Sequence, residues 1–181
     1  IANARMYSVN AATAHAWRRL LEWVIGCAGI ACEVIDHPPP RPLPELWARP
    51  DLACAFMCGY PFALAARRPT LLAAPVPAMQ RCGGEPLYWT DIVVRADSPL
   101  RTLADTFGHR FGYTTAESQS GYQAPRTLLA SHARVRGGRV FAATVGPLLT
   151  PRRVVEAVIG GQCDAGPLDS YWHELLRASE P

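Results

Sequence analysis

The chain has 181 residues, just under half of them apolar, and a formal net charge of +3. That is enough apolar matter for one domain or two small lobes, and it argues against a disordered segment. So weak a positive excess, with no arginine run interleaved with aromatics, gives no sign of nucleic-acid binding. No stretch of about 18 apolar residues offers a membrane span, and residues 1–5 do not read as a signal peptide.

In chain order, residues 5–9 are apolar and end at Asn10, the pattern of a strand. Trp17, Leu20, Leu21, Val24 and Ala28 recur at helical spacing, so an amphipathic helix is expected, stopped near Gly26 to Gly29. Residues 32–35 form a second candidate strand. The proline run from His37 to Pro42 must be a surface loop, because proline lacks the amide donor and fixes φ. Residues 52–58 and 71–76 are continuous apolar runs, expected as central parallel strands buried on both faces. Together these predict a β-α-β layer.

Cys82-Gly83-Gly84-Glu85-Pro86 interrupts the pattern, and a hinge is expected near 83–91, with lobes at 1–86 and 87–181. Beyond it the reading is strand 92–95, a short helix opened by Asp97-Ser98-Pro99, strand 110–113 and helix 121–133. Strand 140–143, helix 151–159, strand 163–168 and helix 170–177 follow. Thr150 is expected to cap the helix at 151, and Gly160-Gly161 to end it.

The six cysteines, Cys27, Cys32, Cys54, Cys58, Cys82 and Cys163, include no Cys-x2-Cys pair, so a zinc site is not expected. Most are expected to be small buried apolar residues. His15, His109 and His132 are scattered, which also argues against a metal centre. Cys58 with His37, or Cys163 with His173, are conceivable nucleophile and base, but nothing local supports either pairing. Ser118 lies outside a Gly-x-Ser-x-Gly elbow. The expectation is a binding protein, not an enzyme, with no cofactor.

The segment from Thr114 to Pro125 follows a strand and opens a helix. Ser120 and Gln123 have capping-box spacing, which points to Ser120 as the N-cap. Gly121 allows close backbone approach. Amides at a helix start, with the hydroxyls of Ser118 and Ser120, make an anion site; the plainer alternative is that these serines only cap a helix. A helix start supplies roughly 0.3–2 kcal/mol, whereas micromolar affinity needs about 8 kcal/mol. Other groups must therefore supply most of the binding.

Ser118-x-Ser120-Gly121 with Pro125 resembles the Ser-Thr-Ser-Gly helix start of the phosphonate-type solute-binding proteins of ABC transporters. Tyr88-Trp89-Thr90, Asp97-Ser98-Pro99-Leu100 and Leu103-Ala104-Asp105 resemble that family in order and spacing, as do residues 108–113. So do Val155-Glu156-Ala157-Val158 and Gly161-Gln162-Cys163-Asp164-Ala165-Gly166, and, more loosely, Cys58-Gly59-Tyr60-Pro61. The resemblance implies a type II periplasmic-binding-protein fold, two α/β lobes with a ligand cleft between them. It also implies a phosphonate-like or phosphate-like anion as ligand, a permease as partner and a periplasmic location. A ligand-sensing module on the same fold is the alternative.

Carried over, the ligand residues are Ser118, Gln119, Ser120 and Gly121, with Tyr88 facing them. Tyr7 and Tyr60 end first-lobe strands, where cleft residues of open α/β sheets sit. Asp164 and Asp169 join them as carboxylates suited to an aminated ligand, although Asp169 also stands where a cap for the last helix belongs. Gln119 replaces the family's middle Thr, and Val145-Gly146-Pro147-Leu148 stands where relatives often carry Gly-x-His. The family's chain returns to the first lobe, and nothing after Glu174 reads as such a segment. The first lobe is therefore expected to expose an apolar face and pair with a second copy.

Overall fold

The computed structural model describes residues 1–180. By contact the chain groups into two units, one of Ile1–Met57 with the stretch from Glu174 onward, the other Cys58–His173. The division thus falls at Met57, not at 83–91. The end of the chain also reaches the first unit, against expectation: Asn10 Nδ2 donates to Ser179 Oγ at 2.6 Å. No helix among the described residues is long and apolar enough to cross a membrane.

In the first unit, β1 is Ala2–Asn3 and not 5–9. The Asn3 side chain accepts from the Arg5 amide at 2.8 Å, and this local bond turns Arg5–Tyr7 into a 3-10 turn instead of a strand. The helix α1 spans Ala11–Ala28. Asn10 and Thr13 cap it reciprocally, and Gly29 ends it at φ 63°, a left-handed conformation natural to glycine. A short helix, α2 (Leu43–Trp47), leads to β2 (Cys54–Ala55), which pairs in parallel with β1. Ala2 also bridges Val34, the remnant of the expected strand at 32–35. The run 52–58 is therefore strand over two residues only, half-buried where central burial was expected. Tyr7 and Trp17 set their rings edge-on to Phe56, with centroids 5.1 and 4.9 Å apart.

The second unit opens with α3 (Gly59–Leu64). The apolar run 71–76 forms no strand: Leu71 and Leu72 are about 70% exposed, because no neighbouring strand supplies a ladder. Its sheet comprises β3 (Thr90–Val94), β4 (Arg110–Gly112), β5 (Ala143–Val145) and β6 (Ala165–Asp169), in the order β3-β6-β4-β5. Three strands run in parallel, and β3 alone is antiparallel to its neighbour β6. Residues 97–99 open no helix: the Ser98 hydroxyl accepts from the Leu100 amide, closing a turn first.

The chain leaves β4 through a π-turn at Gln119–Gln123 that runs straight into α4 (Ala124–Val135). The helix α5 (Pro151–Ile159) starts as expected, with Thr150 Oγ1 accepting from Arg153 N. Ala157, Val158 and Cys163 form a core cluster with Val145 and Leu148. The last helix, α6 (Ser170–Ser179), follows β6 without a break.

Every residue of β6 is buried, Pro167 included. Pro167 pairs with Ile92, and Ser170 N donates to Trp89 O just beyond the strand. Amides alternate along a strand, so those of residues 166 and 168 face β3, and the missing amide of Pro167 falls on the β4 side. There the ladder is a single pair, Phe111 with Ala165.

Candidate ligand-binding site

The site grows from the carboxyl end of the sheet in the second unit. Ser118, not Ser120, is the N-cap: its Oγ accepts from Gly121 N at 2.9 Å. The capping-box spacing misleads because the first turn is wound as a π-turn, with Gln123 N donating to Ser118 O at 3.0 Å. Gln123 Nε2 instead donates to Ala116 O, tying down the approach loop.

Freed from capping, Ser120 turns inward. Its Oγ donates to Asp169 Oδ2 at 3.2 Å, and both residues are buried. Its carbonyl accepts from Thr90 Oγ1 at 3.0 Å, so β3 and β6 both grip the helix start. An ionised carboxylate only accepts, so the Ser120 proton is committed inward and its lone pairs remain available. Asp169 Oδ1 accepts from Tyr171 N and Trp172 N, which makes this carboxylate the cap of α6 as well. Asp169 is therefore both the cap of α6 and the brace of Ser120.

Two further groups lie near Asp169, the Tyr88 hydroxyl and the Cys58 thiol. Burial raises the Tyr88 hydroxyl well above the usual phenol range, and the Asp169 carboxylate adds to the rise. Tyr88 therefore keeps its proton at neutral pH. Burial pushes the Cys58 thiol up to about 11; a hydrogen bond with the Gln119 backbone opposes the shift, and Asp169 reinforces it. Gly59 lies beside Gln119, whose Cγ would be 3.9 Å from a Cβ at Gly59. Ser118, Gln119, Ser120, Gly121, Tyr88 and Asp169 thus share one locality, with the start of α3, which carries Tyr60, against Gln119.

Asp164 lies apart from this cluster. Asp164 precedes β6 at its far end from Asp169, and its carboxylate takes the guanidinium of Arg110 at 2.8 Å and the Arg110 amide at 2.9 Å. The Arg110 hydrogen bond holds the Asp164 carboxyl below the usual range. Tyr7 belongs to the other unit, buried with its ring on Phe56. Sequence reasoning did not single out Thr90 or Thr114, whose roles depend on chain crossings. All six cysteines are free thiols, and no cluster of metal-ligating side chains occurs among the described residues.

A thiol with so high a pKa is a poor nucleophile at neutral pH. Iodoacetamide at pH 8 should modify Cys58 about tenfold more slowly than exposed Cys27, read by peptide mass spectrometry. Because the folded pKa exceeds the ordinary 9.0, the stability linked to Cys58 is complete below pH 9 and is lost as pH rises through about 11.

A family model described as ABC transporter, phosphonate, periplasmic substrate-binding protein matches residues 49–181. Over its whole length the chain is similar to a binding protein component of an ABC phosphonate transporter from Pseudomonas aeruginosa, at 19% identity and a TM-score of 0.76, spanning 60% of that chain. Over 93% of its length it is similar to a Xanthomonas citri protein solved bound to ATP, at 21% identity and a TM-score of 0.50, spanning 63% of that chain. The chain thus spans less than two thirds of either structure, and at these identities the likeness shows a shared α/β fold. No curated protein matches it. On the family match, which covers most of its length, the chain belongs to the phosphonate-type periplasmic substrate-binding proteins of ABC transporters.

Proposed function

We propose that the chain binds a small oxyanion, phosphonate-like or phosphate-like, in the periplasm and hands it unchanged to the permease of an ABC importer. The observation that carries this reading is the helix start at Ser118 to Gly121, braced from below by Asp169 and Thr90. The brace holds Ser120 in a fixed rotamer before any ligand arrives, which lowers the ordering cost of binding. Backbone amides and the Ser118 hydroxyl take the anion oxygens. The protonated Tyr88 phenol is a further donor, and Tyr60 is assigned to the organic part of the ligand. Asp164 takes no part in this reading, since Arg110 occupies its carboxylate.

Calorimetry with methylphosphonate and inorganic phosphate tests it. Replacing Ser118 and Ser120 together by Ala should weaken binding by roughly 1–3 kcal/mol, through the lost Ser118 hydrogen bond to a charged group and the lost brace of Ser120 on Asp169. Unchanged affinity would overturn the site. Phosphorus NMR should recover the ligand intact after prolonged incubation, and any turnover would overturn the binding-protein reading.

A further inference from the structure

Thr114 follows β4 and is 4% exposed. Its Oγ1 is closed to solvent and has no hydrogen-bond partner among the described residues. Such an orphan is costly, and native folds rarely keep one without a use. This one sits under the helix start. A Cβ built on Gly121 would fall 1.9 Å from Thr114 Oγ1 and 2.9 Å from Ser118 Oγ, so both hydroxyls crowd the same point. Meanwhile Ser118 Oγ holds the Gly121 amide, the group an incoming oxyanion needs. The helix start therefore caps itself.

We propose that Thr114 is a positioning residue for oxyanion binding, its hydroxyl held unpaired until ligand arrives. An anion oxygen takes over the Gly121 N–H, and a rotation about χ1 releases the Ser118 hydroxyl. Ser118 then donates its proton to the anion and accepts from Thr114 Oγ1. One hydrogen bond breaks and three form, with no covalent change. The Thr114 proton also polarises Ser118, which makes Ser118 a stronger donor to the anion. Gly121 has no side chain because the Thr114 hydroxyl fills that space. The proposal rests on the oxyanion reading of the site and adds to it a residue that need never touch the ligand.

The test compares wild type, Thr114→Val and Thr114→Ser by thermal unfolding without ligand and by calorimetry with inorganic phosphate and with methylphosphonate. Valine keeps the shape and removes the orphan hydroxyl. It should raise the ligand-free midpoint by about 2–4 °C and weaken anion binding roughly five- to tenfold. Serine should match the wild type in both. In a Ser118→Ala background, Thr114→Val should cause no further loss of affinity, since the two act as a pair. A purely structural threonine would not couple higher stability to weaker binding. A lowered midpoint for Thr114→Val beside an unchanged Thr114→Ser would show the hydroxyl already paired and overturn the proposal. Equal affinity of Thr114→Val and a wild type that binds would overturn it while leaving the oxyanion reading intact. A wild type that takes up neither anion would overturn that reading and the proposal with it.

Discussion

Gly121→Ala should cost the fold about 2–3 kcal/mol, the upper part of the range of about 1–3 kcal/mol for overpacking a well-filled interior, and should abolish measurable anion binding. The added methyl would lie 1.9 Å from Thr114 Oγ1, 2.8 Å from Thr114 Cγ2 and 2.9 Å from Ser118 Oγ. Thr114 is β-branched, buried and stiff about χ1, so it has little room to yield. The helix start must move instead, and with it the Ser118 cap and the Ser120 bond to Asp169. The second change Thr114→Ala removes both clashing atoms of that threonine and should recover most of the lost stability. Urea unfolding of the two single variants and the double variant reads this as a coupling energy of at least about 1 kcal/mol. Strict additivity would show that the crowding at Gly121 is not the cause.

Asp169→Ala should have the other large effect, about 2–4 kcal/mol of stability. Three donors lose their acceptor at once: Ser120 Oγ and the amides of Tyr171 and Trp172. Two of these open α6, and the third braces the helix start, so one substitution loosens both elements. Asp169→Asn separates the roles. The amide oxygen still caps α6, but the amide NH2 faces Ser120 and reverses that bond, freeing the serine proton. The asparagine variant should unfold within about 1 kcal/mol of the wild type yet bind anions with altered affinity. Equal destabilisation by alanine and asparagine would show that negative charge, not hydrogen-bond acceptance, is what the site requires of residue 169.

Elements with their own punctuation were legible in the sequence. The helix α5 announces itself by Thr150-Pro151 and ends at Gly160, and α1 ends at Gly29. Elements that depend on a partner were not. Residues 71–76 are as apolar as a buried strand, but no ladder receives them, and apolarity alone cannot distinguish the two cases. The site divides in the same way. Ser118, Gln119, Ser120 and Gly121 are neighbours in the chain, so a local motif reveals them together. The bond from Ser120 to Asp169 spans 49 residues and exists because β6 lies between β3 and β4. In the sequence only the cap position sets Asp169 apart from Asp164; at either end of β6, about 17 Å apart, they have unrelated partners. The choice of Ser118 over Ser120 as cap was also hidden, since it follows from a π-turn that the Ser-x-x-Gln spacing does not encode.

Proline in an interior strand is ordinarily a fault, because it leaves a carbonyl across the ladder without a donor. At Pro167 the ladder to β4 has ended with the pair of Phe111 and Ala165, so the missing amide breaks no pair of that ladder. Any other residue there would aim an N–H into a buried seam, at a cost of about 1–3 kcal/mol if nothing accepted it. Proline thus acts as a one-sided stop made of a missing bond. It ends pairing toward β4 while leaving the amides of residues 166 and 168 to β3.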